Sequence, residues 1–93
     1  GGPVDSAYIS EAIRIARDKY GVLLVAATGN TAGPVAYPAR YPEVLAVGAE
    51  SADHPGQHAA FSGAGPEVDV VAIGQGILGD PSPPGFHFGC GRY

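Results

Sequence analysis

Apolar residues recur at helical spacing near the start of the chain and then form a short uninterrupted run. Asp5 or Ser6 can cap a helix at its start, and Gly21 suits the left-handed conformation that often follows a helix. Residues 22–27 lack polar alternation, which predicts a strand covered on both faces. Helix and strand together are half of a parallel α/β unit. The helical spacing predicts one buried stripe, made of Tyr8, Ile9, Ala12, Ile13, Ala16 and Tyr20.

Further apolar runs lie between loops rich in Gly and Pro. Residues 44–49 predict a second buried strand, residues 59–62 a brief strand, and residues 68–73 a third apolar strand interrupted by Asp69. From Gly74 onward, closely spaced prolines and glycines preclude a helix of any length. This is a thin core for 93 residues, so we expect a piece of a larger protein.

Composition and charge exclude several classes of partner. The chain has 5 Lys+Arg against 9 Asp+Glu, a formal net charge of -4, and its basic residues are not clustered, which argues against nucleic acid. The longest apolar run, residues 22–27, is too short to span a membrane. The single cysteine, Cys90, cannot form an internal disulfide.

Two motifs in the chain have a binding interpretation and a simpler one. Residues 74–79 read G-x-G-x-x-G, but three prolines among residues 80–84 prevent the helix that would bind a dinucleotide. A glycine-rich loop is the better interpretation. Four residues are of the types that bind zinc: His54 and His58 are four apart, and His87 and Cys90 are three apart. Both pairs fall in segments that are not helical, so their spacing does not bring the side chains together. We therefore expect no metal and no cofactor.

Asn30 is a polar residue placed where an α/β sheet binds ligands. It follows Thr28 and Gly29 at the carboxyl end of the first predicted strand. An asparagine after glycine is usually a turn former. Spacing alone identifies no complete active site, because no serine or cysteine stands in a G-x-S-x-G elbow.

Four blocks in order resemble one family. Residues 25–30 (VAATGN), 36–49 (AYPARYPEVLAVGA) and 59–74 (AAFSGAGPEVDVVAIG), together with Gly1 and Gly2, are similar to motifs of the subtilisin-like serine endopeptidases (peptidase S8 family). The resemblance covers nearly the whole chain. It implies an α/β fold: residues 1–93 as part of a three-layer subtilisin-like domain with a mainly parallel sheet and no second domain.

The resemblance also implies roles for individual residues. Asn30 would donate its side-chain amide to the oxyanion of a tetrahedral intermediate. One wall of the substrate pocket would consist of Ala27, Thr28 and Gly29, and another of Gly1 and Gly2. The substrate would be a peptide or protein, the parent enzyme a monomer, and its location extracellular, as is usual for the family.

The chain departs from the family's pattern at the catalytic triad. The motifs D-[ST]-G and H-G-T-H are absent, and Ile73 replaces a proline. Where G-T-S-M-A should begin, Gly91 is followed by Arg92 and Tyr93, which would put a tyrosine at the nucleophile position. Either the chain is a fragment whose last residues are out of register, or it derives from a non-catalytic peptide-binding relative. The first is favoured, and the chain alone is expected to be inactive.

Overall fold

The computed structural model describes residues 2–75, 78–79 and 91–92. Gly1, His87, Cys90 and part of the G-x-G-x-x-G motif lie outside the described residues. The described residues form one helix and five strands: α1 (Ala7–Tyr20), β1 (Leu24–Ala27), β2 (Val44–Glu50), β3 (Val70–Ile73), β4 (Leu78–Gly79) and β5 (Gly91–Arg92).

The main sheet has three parallel strands in the order β1-β2-β3. Ala26 pairs with Ala46, and Val47 pairs with Val70. The predicted parallel α/β arrangement is thereby confirmed. Because all three strands run the same way, their carboxyl ends lie along one edge of the sheet. Strands β4 and β5 form a separate antiparallel pair.

Both predicted ends of the helix are confirmed. The Ser6 side chain accepts a hydrogen bond from the Ile9 backbone N–H at 3.4 Å, which satisfies one of the unpaired donors of the first turn. Gly21 has φ 64° and follows the last helical residue. Val22 donates its N–H to Ala16 O at 3.0 Å, so Val22 still belongs to the helix cap. For that reason β1 starts at Leu24, two residues after the apolar run begins.

The predicted buried stripe of the helix is wrong for most of its residues. Ile13 is buried and packs with Tyr41 and Val44, whereas Tyr8 is 91% exposed and Ile9 and Tyr20 are also exposed. Apolar spacing identifies the face that can be buried, but burial needs a neighbour. Among the described residues, the helix meets the rest of the fold chiefly through Ile13.

One face of the sheet is covered and the other is open. On the covered face Ala46 clusters with the buried Val35 and Ala39. On the opposite face Val25 is 56% exposed and Val70 is 47% exposed. The prediction that β1 is covered on both faces is therefore wrong, because no described element packs over this side. The described residues form a helix layer and a sheet, two of the three expected layers.

Two other strand predictions need correction. The third strand begins at Val70 rather than residue 68, because Asp69 bonds to β2 with its side chain: Asp69 Oδ2 accepts from the Ala46 N–H at 2.8 Å. Residues 59–62 are a turn, not a strand, since the Ser62 N–H donates to Ala59 O at 3.0 Å. A hydrogen bond between distant residues at Asp69 and a local one at Ser62 thus override the apolar pattern.

Tyr41 connects the helix start to the core. Its hydroxyl accepts a hydrogen bond from the Ser6 N–H at 2.9 Å and donates one to Asp5. Its ring lies 4.8 Å from the Tyr37 ring, between centroids. Burial, followed by the hydrogen bond to Asp5, raises the pKa of Tyr41 above its usual value. The folded state therefore favours the neutral phenol.

The raised pKa of Tyr41 makes the free energy of unfolding depend on pH in the alkaline range. The contribution of Tyr41 is fully present below the usual tyrosine pKa of about 10 and is lost as pH rises through the higher folded-state value. We expect the urea midpoint to fall as pH rises above about 10, and to fall less in Tyr41→Phe. Tyr8→Phe, at an exposed position, is the matched control. An identical decline in wild type and Tyr41→Phe would contradict the assignment.

Candidate functional site

A cleft of about 330 Å³ lies at the carboxyl edge of the three-stranded sheet. Its lining comes from residues 25–30, 47–49 and 72–74, so all three strands contribute. The cleft opens on the uncovered face of the sheet. The carboxyl edge of a parallel sheet is where α/β proteins bind ligands.

Three consecutive residues after β1 direct the chain along this cleft. Thr28 is 1% exposed and continues the ladder, donating its N–H to Val47 O at 3.0 Å. Gly29 has φ 106°, a conformation that side chains disfavour. Asn30 is then exposed and lines the cleft. Gly29 therefore allows the chain to turn, and the turn places Asn30 at the cleft.

The Thr28–Gly29 backbone is held from two further segments. Ala36 donates its N–H to Thr28 O at 3.0 Å, and Gly63 donates its N–H to Gly29 O at 3.1 Å. Gly63 must lack a side chain here, because a Cβ atom would stand 2.3 Å from Thr28 O. The turn is thus a fixed part of the fold.

Ser62 joins the same segment to β2 from within the protein. It is buried, and its Oγ accepts from the Ala49 N–H at 3.0 Å. The same atom lies 3.1 Å from Thr28 Oγ1. Sequence reasoning assigned no role to Ser62, Gly63 or Ala36. The only available signal was their position inside two of the family-like blocks.

The structure brings together some of the sequence-predicted residues and separates others. Ala27, Thr28 and Gly29 line the same cleft as Asn30. Gly2 is not in that lining: its N–H donates to Tyr37 O at 3.0 Å, and its carbonyl accepts from the Tyr37 N–H at 2.7 Å. The backbone groups of Gly2 are therefore already paired. Gly1 lies outside the described residues.

The histidines considered as zinc ligands do not form a cluster in the described residues. His54 and His58 are exposed, and the His58 ring packs beside Gly48, where a Cβ atom would come within 2.7 Å of His58 Cε1. Within residues 2–75, 78–79 and 91–92, no three His, Cys, Asp or Glu side chains could share a metal ion. The absence of a cofactor stays a prediction. In the same part of the chain, no helix is long and apolar enough to cross a membrane.

Comparison with known proteins places this geometry in a family. Residues 1–86 match the model of the subtilase family. The chain is 44% identical over 78 residues to Subtilisin Savinase from Lederbergia lenta, covering 83% of this chain. It is 42% identical over 84 residues to the Major intracellular serine protease of Bacillus subtilis, covering 84% of this chain. The chain belongs to the subtilase (peptidase S8) family.

A solved structure shows the same fold. The psychrophilic subtilisin-like protease Apa1 from the Antarctic psychrotroph Pseudoalteromonas sp. AS-11 matches with a TM-score of 0.72 and 34% identity, over 84% of this chain. The partial subtilisin-like α/β fold expected from the sequence is thereby confirmed. The chain spans 28% of the length of Subtilisin Savinase and 17% of the Apa1 chain.

The close approach of Gly63 to Thr28 predicts that position 63 does not tolerate a side chain. In Gly63→Ala the new methyl group would collide with Thr28 O, so the backbone must shift, at a cost of about 1–3 kcal/mol. Gly2→Ala is the matched control, because nothing lies within 4 Å of a Cβ atom there. The measurement is urea unfolding followed by circular dichroism. Equal midpoints for the two variants would show that the approach is not tight.

Proposed function

We propose that this chain is part of a subtilisin-like serine endopeptidase that hydrolyses peptide bonds, and that Asn30 supplies an oxyanion donor. The observation that carries the proposal is the placement of Asn30. Asn30 is exposed and lines a cleft at the carboxyl end of β1, directly after a glycine with positive φ. Membership of the subtilase family supports the same reaction.

The chemistry suits a neutral amide donor. Attack on a peptide carbonyl converts its oxygen into an oxyanion, and that charge exists only in the tetrahedral intermediate and the adjoining transition states. An amide N–H directed at that position stabilises the transition state more than the ground state. Asn30 would act there without bringing a charge that desolvation would penalise.

The substrate would lie in the cleft beside this donor. Ala27, Thr28 and Gly29 would form one wall of the pocket for the side chain before the scissile bond. Gly1 and Gly2 would belong to another wall, outside the described lining of this cleft. Residues 27–29 offer little side-chain bulk, which leaves space for a peptide. The partner is accordingly a peptide or protein substrate.

The remaining machinery would come from the rest of the protein. The family's motifs for the triad Asp, His and Ser are not found in residues 1–93, so a larger catalytic domain would supply them. We expect the parent enzyme to be monomeric and extracellular. One relative is named an intracellular protease, so fractionation of the source cells is the direct check on location.

A non-catalytic peptide-binding relative is the alternative. The observation that favours it is the tyrosine that follows Gly91 and Arg92 in place of a nucleophilic serine. The coding sequence on either side separates the two: an upstream D-[ST]-G and H-G-T-H with a downstream G-T-S-M-A would establish the enzyme. Loss of these motifs would establish the binding module.

In the full-length protein, Asn30→Ala should lower kcat by about 100- to 1000-fold and leave KM nearly unchanged. This magnitude is the one known for subtilisin itself. Thr31→Ala, the next exposed polar position, is the control and should retain full turnover. The measurement is steady-state hydrolysis of a chromogenic peptide. A raised KM with normal kcat would instead indicate a structural asparagine.

The 93-residue chain by itself should not cleave an unstructured protein such as casein. The physical reason is the lack of a nucleophile and a general base arranged as a triad. Release of acid-soluble peptides is the readout, with Subtilisin Savinase as the positive control. Cleavage that persists through purification would refute the incomplete-site interpretation.

A further inference from the structure

We propose that the hydrogen bond between the buried side chains of Thr28 and Ser62 positions the Gly29–Asn30 turn. The Thr28 hydroxyl then affects the reaction by fixing the position of Asn30, and it does not itself contact the substrate. This inference rests on the proposed role of Asn30. It changes the expected function of Thr28, which the sequence placed in the pocket wall. Ser62 becomes a positioning residue for the same reaction.

The contacts of Thr28 locate its side chain inside the protein. Thr28 is only 1% exposed, and its Oγ1 lies 3.1 Å from Ser62 Oγ. A hydroxyl held in that way is not available to a peptide in the cleft. What Thr28 presents to the cleft is therefore its backbone, the segment that leads directly into Gly29 and Asn30.

The hydrogen atoms can be assigned consistently around Ser62. Ser62 Oγ accepts from the Ala49 N–H at 3.0 Å and lies 3.3 Å from Gly63 O, which can only accept. If Ser62 donates to Gly63 O, then Thr28 Oγ1 donates to Ser62 Oγ. In that arrangement Ser62 uses its one proton and both of its acceptor positions.

This network connects the Gly29–Asn30 turn both to β2 and to the segment at Gly63. The hydrogen bond from Ala49 attaches Ser62 to β2. The next residue, Gly63, donates its N–H to Gly29 O at 3.1 Å. Thr28 is bonded to Ser62 by its side chain and to Val47 by its backbone. Buried, fully satisfied networks of this kind hold a single geometry. The direction of the Asn30 amide depends on that geometry, because displacement by about 1 Å can cost a large part of the rate.

The test is a double-mutant cycle in the full-length protein. Thr28→Val keeps the shape of the side chain and removes the hydroxyl. It should lower kcat by about 5- to 20-fold with KM changed less than about twofold. Thr28→Ser keeps the hydroxyl and should lose less turnover than Thr28→Val. Ser62→Ala removes the same hydrogen bond from the other side and serves if Thr28→Val does not fold.

Making Thr28→Val in a protein that already carries Asn30→Ala distinguishes a positioning role of Thr28 from a general contribution to the structure. With Asn30→Ala already present, Thr28→Val should lower kcat further by less than about twofold, because the group it directs is gone. Ser51→Ala removes a half-buried serine outside the Thr28–Ser62 network, which accepts from the His54 N–H at 3.2 Å. It controls for loss of an ordinary loop hydrogen bond and should leave kcat unchanged.

Each outcome decides a separate claim. If Thr28→Val lowers kcat equally with and without Asn30, or leaves it at the wild-type value, the positioning role is overturned while the proposed function stands. If Asn30→Ala alone leaves kcat unchanged, the proposed function fails, and the positioning role fails with it. A rise in KM confined to Thr28→Val would return Thr28 to the substrate-binding wall.

Discussion

The parallel pairing of β1 with β2 is the interaction on which the site depends. The ladder runs from Leu24 opposite Val44 to Ala27 opposite Val47, and Thr28 extends it by one more hydrogen bond. A slip of one residue would exchange the two faces of β1. It would expose Ala26, which packs in the core, and would move the turn at Gly29 away from its partners.

Close backbone approach, rather than large side chains, completes the packing around that ladder. Gly63 lies against Thr28 O. At Gly29, an added Cβ atom would lie 3.3 Å from the Ala36 methyl carbon. Small residues let three segments that are distant in sequence meet beside one strand end. Hydrogen bonds then replace the contacts that bulky side chains would make. The result is a rigid turn with little bulk on the side where a peptide would lie.

Burial is uneven because a short segment cannot cover both faces of a sheet. Val35, Ala39 and Ala46 are buried on one side, whereas Val25 and Val70 remain exposed on the other. Surface-to-volume scaling makes such a core small for a chain of this length. The chain spans 28% of the length of Subtilisin Savinase, and exposed apolar strand residues accord with a segment of a longer protein.

Much of the architecture was predictable from the sequence, because its determinants are local. Ser6 and Gly21 marked the helix ends through capping chemistry, and the apolar runs indicated parallel strands. The position of Asn30 after β1 followed from its place in the VAATGN block. Local patterns of this kind report on a residue's immediate hydrogen bonds and on the face it can bury.

Only the tertiary structure decided which of those faces is covered and which distant groups meet. Tyr8 belongs to the apolar stripe yet is exposed, because burial depends on a neighbour that periodicity does not encode. Asp69 delays the start of the third strand to Val70 because its side chain bonds to Ala46, 23 residues away. Ser62 reaches Thr28 across 34 residues, and no spacing rule connects them. A hydrogen bond between distant residues depends on how the whole chain folds back on itself, so it appears only when the strands are in place.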